Sequence, residues 1–396
     1  MKRGKIANFA SLITAIFLVA GCASTPKKKH EKHAARLVLR LPASCNTPDG
    51  ATLDAAGNII LSIPNFNNAA LLKEKVIESP APPKMVKIDK NNELSIWYEF
   101  RKEDMHPDTG KIGPMDCAFG PDGNLYVADN QIFWDNHHQS RLLRINVLDD
   151  RPVNVDVVVE GFIVANGLVW KGGTLFVTES VLAHDNKGKE NPQLLSGVYA
   201  FKIDELKNGC LILPPYDETN PERHLMEVFQ SSGRVGFGAD GVAVDGKGNL
   251  YTSIVEDGLI YKTRFDDKGE PIETSLFANS NDMVSADGIV WRKEDNRIYV
   301  ADILNNAVHV VDMKGNVQTL HKNPDTDGAD GSLDQPCEVL IRGNELIVIN
   351  MDMPWEDLTG LLVNTKIDEP YTISVIPLGR GNMKLSQNNL LAQPRR

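Results

Sequence analysis

ADGVAVDGKGNLYTSI, residues 239–254, decides the fold. It opens on an acid followed by glycine. A short apolar run follows, Val242-Ala243-Val244. Asp245-Gly246-Lys247-Gly248-Asn249 then supplies residues that tolerate the positive φ of a tight turn. A second apolar run ends on polar residues, so the segment reads as a β-hairpin. The pattern recurs six times along the chain. PDGATLDAAGNIILSIPN starts at Pro48, MDCAFGPDGNLYVADN at Met115 and ANGLVWKGGTLFVTES at Ala165. Beyond the quoted copy come ADGIVWRKEDNRIYVADI from Ala286 and PCEVLIRGNELIVINMD from Pro336.

Alternating strand-like runs lie between the hairpins, such as Met85–Ile88, Arg141–Ile145, Gly197–Phe201, Leu259–Lys262 and Ala307–Val311. One hairpin plus two further strands makes a four-stranded blade. The sequence therefore predicts an all-β fold, a six-bladed β-propeller around a central channel, over residues 37–396. The repeat starts at 49, 116, 166, 240, 287 and 338 are spaced as propeller blades are, except for two long gaps. Those gaps are read as loop-like insertions near 64–83 and 180–235. Arg36–Leu41 alternates and is expected to close the ring as a strand of the last blade, removing an open edge. Tyr371–Ile376 is a last strand.

Residues 1–22 are of another kind. Lys2, Arg3 and Lys5 precede a largely apolar run, and Val19-Ala20-Gly21-Cys22 resembles a bacterial lipobox. The reading is a lipoprotein signal cleaved before Cys22, whose thiol is lipidated, leaving residues 23–36 as a polar, basic tether. The expected location is the cell envelope, on the periplasmic side of the outer membrane, with Cys22 as the membrane attachment. An ordinary secretory signal is the alternative.

With the eight basic residues of these two segments and Glu31 set aside, the formal charge of −11 becomes −18. So acidic a domain lacks the basic patch that nucleic-acid binding needs. Export permits disulfides among Cys45, Cys117, Cys210 and Cys337. Three full pairings and four free thiols all remain open.

In a propeller the innermost strands line the channel, so the first residue of each stands near one mouth. Here those residues are Asp49, Asp116, Asn166, Asp240 and Asp287, with Glu338 at the nearest place in the sixth repeat. Carboxylates converging on one axis raise each other's pKa, and a divalent cation relieves them. Oxygen-only ligands suit Ca²⁺. A single Asp-Gly is more often just a turn; five or six in register favour a metal.

These repeats resemble the regucalcin/gluconolactonase family of six-bladed propellers, with paraoxonase and diisopropylfluorophosphatase as more distant relatives. The most specific pair is Asn166-Gly-Leu-Val-Trp170 and Asp240-Gly-Val-Ala-Val-Asp245. The resemblance implies a divalent metal, Ca²⁺ or another, held by Asp49, Asn166 and Asp240. The family often has Glu-Gly where this chain has Asp49-Gly50, and an Asn where Asp116 stands. Asp116 is the further metal candidate. The implied activity is metal-dependent hydrolysis of a small lactone or related ester. Asp240 is its general base, and Asp287 the neighbour able to substitute.

Glu338, His137 and His184 are candidates for substrate contact, the histidines because they follow hairpin strands. Trp170 and Trp291 hold equivalent places in two hairpins, which assigns them to packing between blades. The chain carries neither a Gly-x-Ser-x-Gly elbow nor His-Glu-x-x-His. The alternative function is a lipid-anchored binding module with a structural Ca²⁺, because propellers host many functions.

Overall fold

The computed structural model describes residues 34–379, except 136, 186–192, 356–357 and 359. The signal segment with Cys22, residues 23–33 of the tether and the tail from 380 lie outside the described residues.

Six antiparallel sheets follow one another along the chain. The first blade is Ala51–Leu53, Ile59–Ile63, Lys84–Ile88 and Leu94–Glu99. The second is Pro114–Phe119, Leu125–Asp129, Ser140–Leu148 and Arg151–Phe162, with Leu211–Ile212 added in parallel at its outer edge. Ala165–Lys171, Thr174–Asp185, Gln193–Lys202 and Leu225–Ser231 make the third. Ala239–Val244, Leu250–Ile254, Leu259–Phe265 and Pro271–Asn279 make the fourth. The fifth is Ile289–Arg292, Arg297–Asp302, Ala307–Asp312 and Val317–Lys322. The sixth joins Pro336–Arg342, Glu345–Asn350 and Thr372–Pro377 to Arg36–Arg40. The protein is thus a six-bladed β-propeller. Its ring is closed by the first strand lying on the last blade, in register Arg36 with Val375 and Arg40 with Thr372.

The gap at 180–235 is not a loop insertion. Thr174–Asp185 and Gln193–Lys202 are long paired strands of the third blade, and Leu225–Ser231 is its outer strand. The extra length comes from these extended strands and from the excursion that leaves Leu211–Ile212 on the neighbouring blade. The first gap holds a short helix, Asn68–Lys73.

Acids at three kinds of position build the blades. Asp54, Asp245 and Asp312 cap hairpin turns. Asp245 Oδ1 accepts the amides of Lys247 at 2.8 Å and Asn249 at 3.0 Å, an Asx turn that pre-shapes the hairpin. Others end the second strand of a blade and clamp the chain arriving at the first. Glu179 accepts the amides of Ile163 and Val164, Glu256 those of Gly233, Val235 and Gly236, and Asp302 those of Val284 and Ser285. Asp129 accepts the amide of Gly113 and forms a buried 2.7 Å ion pair with Arg141. Buried amides need such partners, since an unmet one costs about 1–3 kcal/mol. The third kind lies at the channel.

Trp170 and Trp291 pack between blades at equivalent places. Trp170 meets Tyr126 edge-on at 5.1 Å, and Trp291 lies over Gly246, 3.0 Å from where a Cβ would stand. Cys45, Cys117 and Cys337 are buried free thiols, and Cys210 is an exposed one.

The innermost strands approach closely enough to need glycine. A Cβ on Gly167 would stand 2.2 Å from the Asp240 carbonyl oxygen, and one on Gly241 2.4 Å from that of Asp287. One on Gly50 would stand 2.2 Å from the Asp116 Cα. Neighbouring hydroxyls stitch the same seam. Thr178 Oγ1 donates to the Asp240 carbonyl and Ser253 Oγ to that of Asp287, both at 2.7 Å. Gly241→Ala is therefore expected to destabilise the fold by about 1–3 kcal/mol, as overpacking does. The check is a lowered urea midpoint with unchanged far-UV circular dichroism. Gly343→Ala, with nothing within 4 Å of the added carbon, is the control for backbone strain at φ +62.

Candidate functional site

Asp116, Asn166 and Asp240 sit in register shifts at the start of their strands: the pairing jumps between Pro114 and Cys117, Ala165 and Leu168, and Ala239 and Val242. Such bulges re-aim a side chain out of the alternation of the sheet. Glu338 occupies the corresponding place in the sixth blade. Val339 N donates to Glu338 Oε1 at 2.6 Å, as Cys117 N donates to Asp116 Oδ1 at 2.7 Å.

The structure brings all six ring residues to one cavity. Asp49, Asp116, Asn166, Asp240, Asp287 and Glu338 line it together, and it holds about 60 Å³ of space for water-sized occupants. Asn166 Nδ2 donates to Asp240 Oδ2 at 2.8 Å, and Asp240 and Asp287 share a hydrogen bond between their carboxyl groups. Asp116 is more committed, because Leu168 N also donates to its Oδ2, at 2.7 Å. Gly288 leaves room for Glu338, whose Oε1 would lie 2.4 Å from an added Cβ.

The electrostatics follow from this crowding. Burial, then Asp240 and Asp116, push the Asp49 carboxyl well above the usual range. Burial raises Asp116 and Asp240 to about 7 each. Burial and then Asp240 and Asp49 raise Asp287, while burial and then Asp116 raise Glu338. Burial, then neighbouring carboxylates, drive the Cys117 and Cys337 thiols up as well, which keeps them protonated and unreactive. Among the described residues lining the cavity there is no Lys or Arg to offset this charge.

The donors, five carboxyl groups and one amide, fit a hard divalent cation. Among the described residues, no three His, Cys, Asp or Glu side chains are already gathered as a metal cluster. The ring supplies the chemistry of a metal site without yet the closure of one.

Above the ring the walls are apolar. Met115, Phe133, Val164, Phe237, Val255, Ile303, Leu304, Met351 and Trp355 line them. Sequence reading singled out the loop from Phe133 for its histidines, but it is Phe133 that reaches the cavity. His137 is exposed and bonded to Asp135 at 2.9 Å. His184 lies exposed on the long strand of the third blade, paired with Leu194. Neither histidine lines the cavity, because both fall on the chain beyond the hairpin end that faces it. The wall residues carry no sequence signal of their own. Val164, Val235 and Phe237 precede first strands and Val255, Ile303 and Leu304 follow second strands, places where apolar residues read as ordinary core.

No family model matches the chain, and no curated protein sequence matches it either. Solved structures do. A gluconolactonase from Xanthomonas campestris aligns at 12% identity over 88% of this chain and 90% of its own, with TM-score 0.52. A calcium-binding regucalcin from Agrobacterium tumefaciens aligns at 12% identity over 89% and 96%, TM-score 0.52. A PQQ-bound aldose sugar dehydrogenase from Streptomyces coelicolor aligns at 14% identity over 87% and 98%, TM-score 0.50. At these identities the likeness shows the fold. The chain shares the propeller fold of these structures, and that fold serves more than one chemistry.

The raised carboxyl groups make stability depend on pH. Each is protonated in the native state and ionised in the unfolded chain over the interval from about 4 to about 7. The native state binds more protons there, so stability falls as pH rises through that window. Chelator-treated protein is expected to melt at lower temperature at pH 8 than at pH 5. Added Ca²⁺ should raise the melting temperature more at pH 8, because ligands bind metal deprotonated. Thermal melts at the two pH values, with and without Ca²⁺, measure both.

Proposed function

We propose that the protein is a metal-dependent hydrolase of a lactone or related ester, working in the propeller channel. The observation that carries this reading is the convergence of five carboxyl groups and the Asn166 amide on a cavity whose remaining wall, Asn130 apart, is mostly apolar. The likeness in fold to a gluconolactonase and to a calcium-binding regucalcin supports it. Asp49, Asn166 and Asp240 would hold a divalent cation, Ca²⁺ by the donor set, with Asp116 beside them. When bound, the ion polarises the substrate carbonyl and offsets the charge that develops on its oxygen.

The chain's own groups do the rest. The Asp240 carboxyl, bonded to Asn166 and Asp287 in the cavity, would be the group that takes a proton from water. Asn166 holds it by one oxygen, and Asp287 shares a proton with it. The water oxygen bonds to the acyl carbon, the acyl–oxygen bond breaks, and the proton passes to the leaving alkoxide. Asp287 serves as the local reservoir for that proton. The apolar walls exclude bulk water and select a substrate with a hydrocarbon portion. With no Lys or Arg among the described residues lining the cavity, an anionic substrate is disfavoured. The Cys22 anchor would place this activity on the envelope.

A panel of alkyl lactones, aryl esters and a sugar lactone, assayed with Ca²⁺ and with chelator, tests the reading. Turnover lost on chelation and restored by Ca²⁺ is expected. Asp240→Asn should lower kcat by about 10²–10⁴-fold, the usual range for a positioned acid–base group. Phe237→Ala should raise KM for alkyl lactones more than for a sugar lactone. Stoichiometric Ca²⁺ without turnover of any member would favour a binding module with a structural ion.

A further inference from the structure

A second group of acids lies on the two connections that flank the hairpin of the sixth blade. Residues 323–334 read Asn-Pro-Asp-Thr-Asp-Gly-Ala-Asp-Gly-Ser-Leu-Asp. Gly328, at φ +61, folds this segment back so that a Cβ there would stand 3.1 Å from Asp334 Cβ. The other connection, between Asn350 and Thr372, brings Asp352, Asn364 and Asp368. Asn364 Nδ2 donates to Asp352 Oδ1 at 3.0 Å, and Asp368 N to Asp352 Oδ2 at 2.8 Å. Thr365 Oγ1 reaches across to Asp325 Oδ2 at 2.8 Å, tying the two connections together. Neither Asp334, Asp352 nor Asn364 lines the channel cavity.

Two atoms in this group lack what buried oxygens require. Asp334 is 1% exposed and Asn364 fully buried, yet Asp334 Oδ1 and Asn364 Oδ1 accept no hydrogen bond. The charges that bear on Asp334 are Asp352, Asp368, Asp325 and Asp327, so its carboxyl faces the other acids. Among the described residues none of these five acids pairs with Lys or Arg. Burial and then these neighbours raise Asp334 to about 9, while burial first raises Asp352 to about 7. A cation meets both orphaned oxygens and the surrounding charge at once.

We propose that Asp334, Asp352 and Asn364, with Asp325, Asp327 and Asp368 at the rim, form a second cation site, separate from the channel, for a hard divalent ion of calcium's class. An oxygen-only set mixing carboxylates and an amide, on loops able to adjust, suits six to eight ligands in irregular geometry. As in the channel, no three of these acids are gathered into a ligand cluster, so binding draws the two connections together. The second of these connections leads into Thr372–Pro377, the strand on which the first strand of the chain closes the ring, and the first leads into Pro336–Arg342 of the same blade. Asn350 Nδ2 holds Thr372 Oγ1 at 3.0 Å at that junction. The site therefore couples calcium to the closure of the propeller and not to the chemistry of its channel.

The test is calcium binding to the chelator-stripped full chain, with Ca²⁺ as sole titrant, by equilibrium dialysis and calorimetry. Two ions per chain are expected. Asp334→Asn should lose one of them and keep the other, and Asp240→Asn should do the converse. Asp325→Asn alters an exposed side chain that leaves the fold intact, so it reports even where Asp334→Asn does not fold. It should weaken one site by roughly tenfold or more, the scale on which supporting groups tune metal affinity. Removal of the second ion should also lower the melting temperature without changing turnover. A single calcium per chain that disappears in Asp240→Asn would overturn the proposal. So would unchanged affinity at both sites in Asp325→Asn.

Discussion

The distance of closest approach between neighbouring innermost strands governs this molecule. Where Gly50, Gly167 and Gly241 stand, the next blade's backbone occupies the space a side chain would need. Six sheets pack around one axis only if their inner ends come this near, and Thr178 and Ser253 then bond carbonyls across the seam. The glycine has a second effect. It follows a bulged residue whose side chain has left the regular alternation and points at the axis. The constraint that permits ring closure is therefore the one that gathers polar side chains in the channel.

Gathering them has an electrostatic consequence that the blades do not offset. Acids that cap turns or clamp strand starts have partners: Asp129 has Arg141, Asp302 has His309 and two amides, and Asp245 has its own turn. Asp49, Asp240 and Asp287 have mainly one another. An arrangement that only stabilised the fold would place such groups where the amides are, as Glu179 and Glu256 are placed. The contrast within one chain, between acids spent on backbone amides and acids facing mainly acids, sets the channel, like the connections of the sixth blade, apart from the acids that build the blades.

The fold was legible because its units are local. A hairpin is specified by about sixteen consecutive residues, and six copies leave little freedom for the sheet order; even the closing strand at Arg36–Arg40 shows as alternation. What escaped has a physical reason too. The hairpin from Ala165 and the strand at Gly197–Phe201 are legible, but the gap at 180–235 reads as a loop-like insertion because Thr174–Asp185 and its partner outgrow the repeat, and length alone resembles an insertion. The ring residues were legible through register. The walls were not, since Phe237 or Ile303 at a strand end has the same sequence whether it faces a core or a cavity. His137 and His184 follow the hairpin end that faces the channel, but they lie further along the chain than the residues that reach the cavity, and residue type does not encode that.

The six ring positions are not equivalent, and the difference bears on chemistry. In the second and sixth blades a cysteine adjoins the acid, in Met115-Asp116-Cys117 and Pro336-Cys337-Glu338, and the acid turns to accept the amide of the residue that follows it. Asp116 is bonded at both oxygens, Glu338 at one. Glycine follows directly in the first, third, fourth and fifth blades; Asp49 still takes the Gly50 amide, while Asn166, Asp240 and Asp287 face the cavity on three consecutive blades. The ring thus has three members held by a backbone amide and three that face the cavity without one among the described contacts. Those three are the amide and the pair that shares a hydrogen bond, Asp240 and Asp287. A site needing both a ligand set and a nearby proton acceptor has both on that side of the channel, which is why catalysis is assigned there and not spread evenly around the ring.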